Sequence, residues 1–172
     1  PHPHPPPPPP TTPRPSRRQR QMCIRDRTHP GTKMETAGSL IIDILVKVLN
    51  GASLKAAILE NIDAQNNPLL GYPFLKWMKE PDDSVIGPRF STACYVEDSV
   101  PAVIYLALKY HDQPERALVV NTNLGGDNAA RGAVLGALLG AAHGVEGFPE
   151  RWVRGLVKPL PDLKLFEPKT LS

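Results

Sequence analysis

The sequence has few cysteines, few aromatic residues and no long apolar run, and each shortage excludes a class of protein. Its 172 residues include two cysteines, Cys23 and Cys94, which is too few for a disulfide framework or a multi-thiolate metal site. No apolar run approaches the roughly 18–20 residues that cross a bilayer, and the N-terminus lacks the apolar region of a secretory signal. These absences predict a soluble, cytoplasmic chain with no membrane partner.

The charges are divided unevenly along the chain. Residues 1–33 carry seven Lys or Arg against one acid, a net charge of +6, and 11 of the 21 prolines. Residues 34–172 carry 13 basic and 16 acidic side chains, a net charge of −3. Because the part that can fold is mildly acidic, the chain is not expected to be a nucleic-acid-binding domain, and no nucleic-acid partner is predicted.

Residues 1–33 form a low-complexity segment that we expect to be disordered. Pro1–Pro15 is typical of polyproline II, and Met22–Arg27 resembles the translated mosaic end of a transposase-based sequencing adapter. We therefore expect this segment to be partly a sequencing artefact and the natural gene to extend upstream. The functional alternatives are a ligand for proline-recognition domains and a basic arm that binds phosphates, although the arm has no interleaved aromatic residues to stack on bases.

Residues 34–172 begin with two predicted helices. Gly38–Leu49 is apolar except for Ser39, Asp43 and Lys47, which are spaced four apart and form one narrow polar stripe. This pattern predicts a helix that is buried on most sides, with an ion pair between Asp43 and Lys47. After a tight turn, Ser53 is the expected N-cap of a second helix.

Two further helices are predicted after an irregular, proline-rich segment at Asn66–Thr92. The third helix is expected to begin near Asp98 or Ser99, either of which could be its N-cap. A capping-box variant at Asp112 predicts a fourth helix that runs through Asn121. The aromatic residues of the irregular segment are expected to pack locally beneath it.

A glycine-rich stretch follows at Asn123–Ala142. Its Gly125-Gly126 pair requires backbone freedom, and Asp127 is the expected N-cap of a helix that runs to about Ala142. Three glycines recur at every fourth position of this helix, although each costs roughly 1 kcal/mol relative to alanine. We infer that another helix approaches closely there. The chain is therefore predicted to be an all-α helical bundle with a buried, small-residue central helix.

This stretch also resembles a known family. The sequence Asn123-Leu-Gly-Gly-Asp-Asn, followed by Arg-Gly-Ala-Val-Leu-Gly-Ala-Leu-Leu-Gly-Ala, is similar to the C-terminal signature of the ADP-ribosylglycohydrolase family, including its crystallin J1-like members. Three further elements keep the family order: Glu97–Val103, Asp112–Leu118 and Phe148–Val153. The resemblance extends over roughly residues 36–158, and residues 34–172 are expected to form the C-terminal part of such a domain.

The resemblance implies an all-α fold that hydrolyses a glycosidic bond of ADP-ribose, with Mg²⁺ as cofactor and ADP-ribose or an ADP-ribosylated protein as partner. It places Asp127 as a metal ligand and implies no particular catalytic residue. The substrate-binding residues that it implies are Asn123, Gly125, Gly126 and Asn128.

Two departures from the family pattern affect the expected activity. Where the signature usually has Asp and then Thr or Ser, this chain has Ala129 and Ala130, and the family's N-terminal Gly-Asp metal motif has no counterpart in residues 34–172. We therefore expect this chain to be an inactive fragment of a monomeric, magnesium-associated hydrolase. The alternatives are a non-catalytic crystallin-like structural protein and an ADP-ribose-binding protein. Asp127 itself has a second interpretation, as a helix cap paired with Arg131.

Overall fold

The computed structural model describes residues 31–64 and 67–156. The proline-rich run, the adapter-like hexapeptide with Cys23, residues 65–66 and residues 157–172 lie outside these ranges. Within them the chain forms eight α-helices and no β-strand, which confirms the all-α prediction. The helices are α1 (Thr32–Leu49), α2 (Leu54–Asp63), α3 (Phe74–Trp77), α4 (Asp82–Val85), α5 (Val96–Lys109), α6 (Pro114–Asn123), α7 (Asn128–His143) and α8 (Glu150–Arg154), with single 3₁₀ turns at Pro68–Leu70 and Val145–Gly147.

Helix α5 lies at the centre of the bundle and contacts α1, α2, α6 and α7. Eight consecutive residues, Pro101–Leu108, are buried, so the helix is enclosed on every side over two turns. It begins at Val96, close to the predicted start, but the predicted N-cap role of Asp98 or Ser99 is wrong because Tyr95 occupies the N-cap position. The amides of Asp98 and Ser99 already donate to the carbonyl of Tyr95, at 3.1 and 2.8 Å, which places both residues inside the first turn.

Helix α7 also contacts α1, α2, α5 and α6, which agrees with the predicted central position of the glycine-rich helix. The predicted burial is only half correct, because Ala133 and Ala137 are exposed. A Cβ on Gly132 would lie 3.1 Å from the side-chain nitrogen of Asn121, which is closer than most Cβ contacts. Gly136 and Gly140, the other two glycines of the four-residue repeat, have ordinary contact distances, so the close approach of α6 is confined to Gly132.

Helix α1 buries one face and exposes the other. Ala37, Leu40, Ile44 and Val48 are buried, and the helices that contact α1 are α2, α5 and α7. On the outer face the exposed fractions are 61% for Ile42, 50% for Val46 and 71% for Leu49. The prediction of burial on most sides is therefore wrong for the described residues, since the neighbouring helices cover the inner face only.

The exposed face of α1 leads to a solubility prediction. Replacing Ile42 and Val46 with Gln removes exposed apolar area without touching the core, so the free energy of unfolding should change by less than about 0.5 kcal/mol. Self-association of the full chain, measured by light scattering over a concentration series, should decrease. The matched control is Ile44→Gln, which alters a fully buried side chain of the same helix and should unfold the protein.

Some of the predicted helix caps and ion pairs form in the structure and others do not. Ser53 caps α2, because its hydroxyl accepts a hydrogen bond from the amide of Ala56 at 3.2 Å. The Asp43–Lys47 ion pair is confirmed at 2.9 Å. The predicted capping box at Asp112 is wrong, since α6 has Gln113 at its N-cap position and no side chain caps it. Pro114 at the first helical position lacks an amide hydrogen, so one of the donors that a cap would satisfy is missing.

Residues 67–92 pack as a cap on the bundle, as the aromatic content of this segment predicts. Tyr72 contacts Phe90 edge to face with 4.9 Å between ring centroids, and Trp77 contacts the same ring at 5.6 Å. The guanidinium of Arg89 lies 4.7 Å from the centroid of the Trp77 ring. Phe74 and Phe90 are fully buried, so the cluster is part of the core.

A partly buried carboxylate joins this segment to α5. One oxygen of Asp82 accepts hydrogen bonds from Lys109 Nζ at 2.8 Å and from the Tyr105 hydroxyl at 2.9 Å, and its other oxygen accepts from the Tyr110 hydroxyl at 2.6 Å. Lys109 also donates to the carbonyl of Glu80 at 2.7 Å. No local sequence pattern indicates this ion pair, because Asp82 and Lys109 are 27 residues apart in the chain.

Candidate functional site

The loop between α6 and α7 is the feature on which the predicted site residues converge. Gly125 and Gly126 both have positive φ, 68° and 63°, which confirms that this pair needs glycine's backbone freedom. Gly126 lies directly against Thr92, because an added Cβ would be 2.2 Å from the Thr92 carbonyl oxygen. The amide of Asp127 donates to the same oxygen at 2.8 Å. The loop is therefore fastened to a segment 34 residues earlier in the chain.

A buried arginine supports this loop from inside. Arg131 is 1% exposed. Its Nε donates to the side-chain oxygen of Asn121 at 3.1 Å, Nη1 donates to the Thr92 carbonyl at 3.1 Å, and Nη2 donates to the Gly125 carbonyl at 2.6 Å. Burial lowers the pKa of Arg131, and the nearby charge of Asp127 acts in the opposite direction. All three acceptors of the guanidinium are neutral groups.

The structure bears out only part of the second interpretation of Asp127, as a helix cap that pairs with Arg131. Asp127 occupies the N-cap position of α7, but its side chain makes no capping hydrogen bond. The guanidinium of Arg131 points inward to Asn121, Thr92 and Gly125, and within the described residues no ion pair joins it to Asp127. The predicted N-cap position of Asp127 is confirmed. The capping hydrogen bond of its side chain and its pairing with Arg131 are not found in the described part of the chain, because the arginine side chain follows the buried face of α7.

Two of the predicted substrate-binding residues line a cavity. Asn123 and Asn128 lie on the wall of a cavity of about 530 Å³ between α6 and α7. Ala129 and Gly132 form part of the same wall, and Trp152 of α8 closes one side. Gly125, Gly126 and Asp127 belong to the adjacent loop and do not line this cavity. The structure thus brings the predicted residues to one end of the bundle, where only the two asparagines face the cavity.

The amides of the loop are less available than the sequence suggests. A glycine pair at a helix N-terminus is expected to offer N–H groups to a pyrophosphate. Here the Gly125 amide donates to the Thr122 carbonyl at 3.2 Å, and the Asp127 amide donates to the Thr92 carbonyl. These two amides hold the loop in shape and are therefore not free to bind an anion.

The donor set does not fit a magnesium pair. Magnesium prefers carboxylate, hydroxyl and water oxygens, whereas Ala129 and Ala130 present exposed methyl groups next to Asp127. Over residues 31–64 and 67–156, no three His, Cys, Asp or Glu side chains lie together in a way that could hold a metal ion. Asp127 alone offers one carboxylate, and the positive charge of Arg131 acts on that carboxylate.

The sequence analysis did not identify Arg131 or Thr92 as site residues. A signal for Arg131 exists in hindsight, because it lies four residues before Leu135 on the apolar face of a helix that is otherwise built from Gly, Ala, Val and Leu. A charged residue on a buried face needs dedicated partners. No local pattern marks Thr92, since its contribution is a main-chain carbonyl.

One of the three comparisons with known proteins gives a match. No helix among the described residues has the length and hydrophobicity to span a membrane. No curated protein and no solved structure gives a significant match. The family model described as ADP-ribosylglycohydrolase matches residues 21–168, which include every helix of the bundle and the loop with its cavity. The chain therefore belongs to the ADP-ribosylglycohydrolase family.

Proposed function

We propose that this chain binds ADP-ribose, or the ADP-ribosyl group of a modified protein, at the loop of residues 123–128 and the cavity beside it. The observation that carries the proposal is the fixed shape of this loop, which places Asn123 and Asn128 on the cavity wall. Their amide groups both donate and accept hydrogen bonds, which suits the hydroxyls of a ribose. Family membership supplies the substrate class.

Hydrolysis by this chain alone is not supported by its residues. The family is generally metal-dependent, and a metal pair would orient the sugar and stabilise developing charge. Asp127 retains one carboxylate of the expected ligand set, and the alanines at 129 and 130 supply none. We propose that the activity of the family is cleavage of an ADP-ribose glycosidic bond and that this chain binds ADP-ribose without hydrolysing it.

The test combines a binding measurement with an activity measurement on the full chain. Isothermal titration with ADP-ribose should give saturable binding, and titration with free ribose should give weaker binding. Incubation with an ADP-ribosylated protein and Mg²⁺ should release no ADP-ribose. Metal-dependent release would contradict the recognition role. Absence of ADP-ribose binding by a well-folded chain would favour the alternative, a crystallin-like structural protein.

The asparagines of the cavity wall provide a direct mutational prediction. Asn123→Ala and Asn128→Ala should each weaken ADP-ribose binding about tenfold, the equivalent of about 1.4 kcal/mol and within the range for a lost hydrogen bond to a polar ligand. Asn50→Ala, at the exposed end of α1, is the matched control and should leave the dissociation constant unchanged. Equal effects at all three positions would remove the cavity from the proposal.

Restoring the missing donors should create metal affinity. In the double variant Ala129→Asp and Ala130→Thr, two oxygen donors stand beside Asp127, so Mg²⁺ should raise the melting temperature in a concentration-dependent manner. The unmodified chain should show no such shift. Ala133→Asp places the same new charge on an exposed position one turn later and should also show none. A metal-dependent shift in the unmodified chain would contradict the fit argument.

A further inference from the structure

We infer that Arg131 is a positioning residue that holds the loop of residues 123–128 in its ligand-binding shape without a metal ion. The inference rests on the proposed function for the identity of the ligand, but the ordering of the loop is a separate property. Arg131 lies behind the loop, 1% exposed, so it acts on a ligand through the backbone that it holds.

The guanidinium of Arg131 divides its hydrogen bonds among three parts of the chain. Nη1 and Nη2 donate to the carbonyls of Thr92 and Gly125, and Nε donates to Asn121. One rigid planar group thereby connects the segment before α5, the last turns of α6 and the loop itself. A guanidinium keeps its donors in a fixed fork, so the three acceptors are fixed relative to one another.

Burial of a charged side chain is unfavourable unless its polar atoms find partners. Arg131 shares its buried face with Leu135, Leu138 and Leu139, and burial penalises its charge. The three neutral acceptors satisfy the guanidinium in place of a counter-charge. An apolar side chain here would remove the arginine donors of the Gly125 carbonyl and the Asn121 side chain, while the Thr92 carbonyl would keep the amide of Asp127.

Packing and hydrogen bonds that do not depend on a metal hold the loop against Thr92. Gly126 packs against Thr92 with no room for a Cβ, and the Asp127 amide donates to the Thr92 carbonyl. Where a metal would tie the first turn of α7 to its surroundings, Ala129 and Ala130 offer no ligand. Arg131, which lies beneath the loop, therefore keeps the loop ordered.

The experiment measures loop order and ligand binding in parallel. Hydrogen–deuterium exchange of the full chain should show protected amides in residues 123–128, and EDTA or Mg²⁺ should change the exchange rates less than twofold. In Arg131→Met the protection should fall by at least tenfold and the dissociation constant for ADP-ribose should rise by at least tenfold. Arg131→Lys keeps the charge but loses the fork, so it should restore part of both.

A folded control keeps the inference falsifiable. Circular dichroism at each stage reports whether Arg131→Met retains its helices; if it does not, Arg131→Lys with added EDTA carries the comparison. Unchanged protection in Arg131→Met, or protection that depends on Mg²⁺ in the unmodified chain, would overturn the inference. Arg131-dependent protection without any ADP-ribose binding would instead overturn the proposed function and leave the positioning role intact.

Discussion

Replacing Gly126 with Ala is expected to lower the free energy of unfolding by about 3 kcal/mol or more. A left-handed backbone costs a residue with a Cβ roughly 1–2 kcal/mol. The new Cβ would also lie 2.2 Å from the carbonyl oxygen of Thr92, a backbone atom that cannot move aside without breaking its hydrogen bonds to Asp127 and Arg131. Urea denaturation followed by circular dichroism measures the loss.

The neighbouring glycine provides the matched control. Gly125 has a similar positive φ of 68°, but an added Cβ would meet nothing within 4 Å. Gly125→Ala should therefore cost only the backbone term, roughly 1–2 kcal/mol. The difference between the two variants isolates the close approach to Thr92. Equal losses at the two positions would show that the loop does not pack against Thr92 as described.

Replacing Asp82 with Asn is expected to destabilise the protein by about 2 kcal/mol, because the partly buried ammonium of Lys109 loses its counter-charge. The side chains of Asp82 and Lys109 are 17% and 16% exposed. The amide of Asn keeps the size of the carboxylate but cannot accept from Lys109, Tyr105 and Tyr110 together. Asp83→Asn, at the exposed neighbouring position, should change stability by less than about 0.5 kcal/mol.

The same network sets the response to acid. Burial alone would raise the pKa of Asp82, but the hydrogen bonds from Lys109, Tyr110 and Tyr105 outweigh it, so the folded-state pKa lies below the ordinary 3.8. A depressed carboxyl pKa contributes stability that is present above the unfolded-state value and is lost as the pH falls through the folded-state value. Denaturation curves between pH 6 and pH 2 should therefore show a loss below about pH 4 that is smaller in Asp82→Asn.

At alkaline pH the network loses stability as the pH rises. Burial, followed by the hydrogen bond to Asp82, raises the pKa of Tyr110 to about 12. Because the folded state holds the neutral phenol, this stability is present below pH 10 and is lost as the pH rises towards 12. Tyr110→Phe should weaken that part of the pH dependence. An unchanged alkaline profile in this variant would contradict the assignment.

Much of the fold follows from local pattern, and the rest depends on contacts that a local pattern does not contain. Apolar spacing and the Ser53 cap correctly indicate the first two helices. The N-cap of α5 at Tyr95 was missed because its first turn is closed by backbone carbonyls and no side chain marks it. The exposure of Ile42 could not be predicted, since an apolar helix looks the same in the sequence whether or not a neighbour covers it.

The candidate site divides in the same way. Its position in the chain follows from the glycine pair and the family signature, and the structure brings Asn123 and Asn128 to one cavity. Its internal support could not be predicted, because Arg131 reaches a backbone carbonyl 39 residues away and sequence does not encode that pairing locally. The metal-ligand role of Asp127 stays a prediction, and the surrounding side chains do not fit it.

The central claim is that the loop of residues 123–128 recognises ADP-ribose in a shape that needs no metal. The most direct measurement is isothermal titration of the full chain with ADP-ribose, first in a buffer that contains Mg²⁺ and then in the same buffer with excess EDTA. The account predicts saturable binding with dissociation constants that agree within twofold. Binding that disappears in EDTA, or fails in both buffers while the chain remains folded, would contradict it.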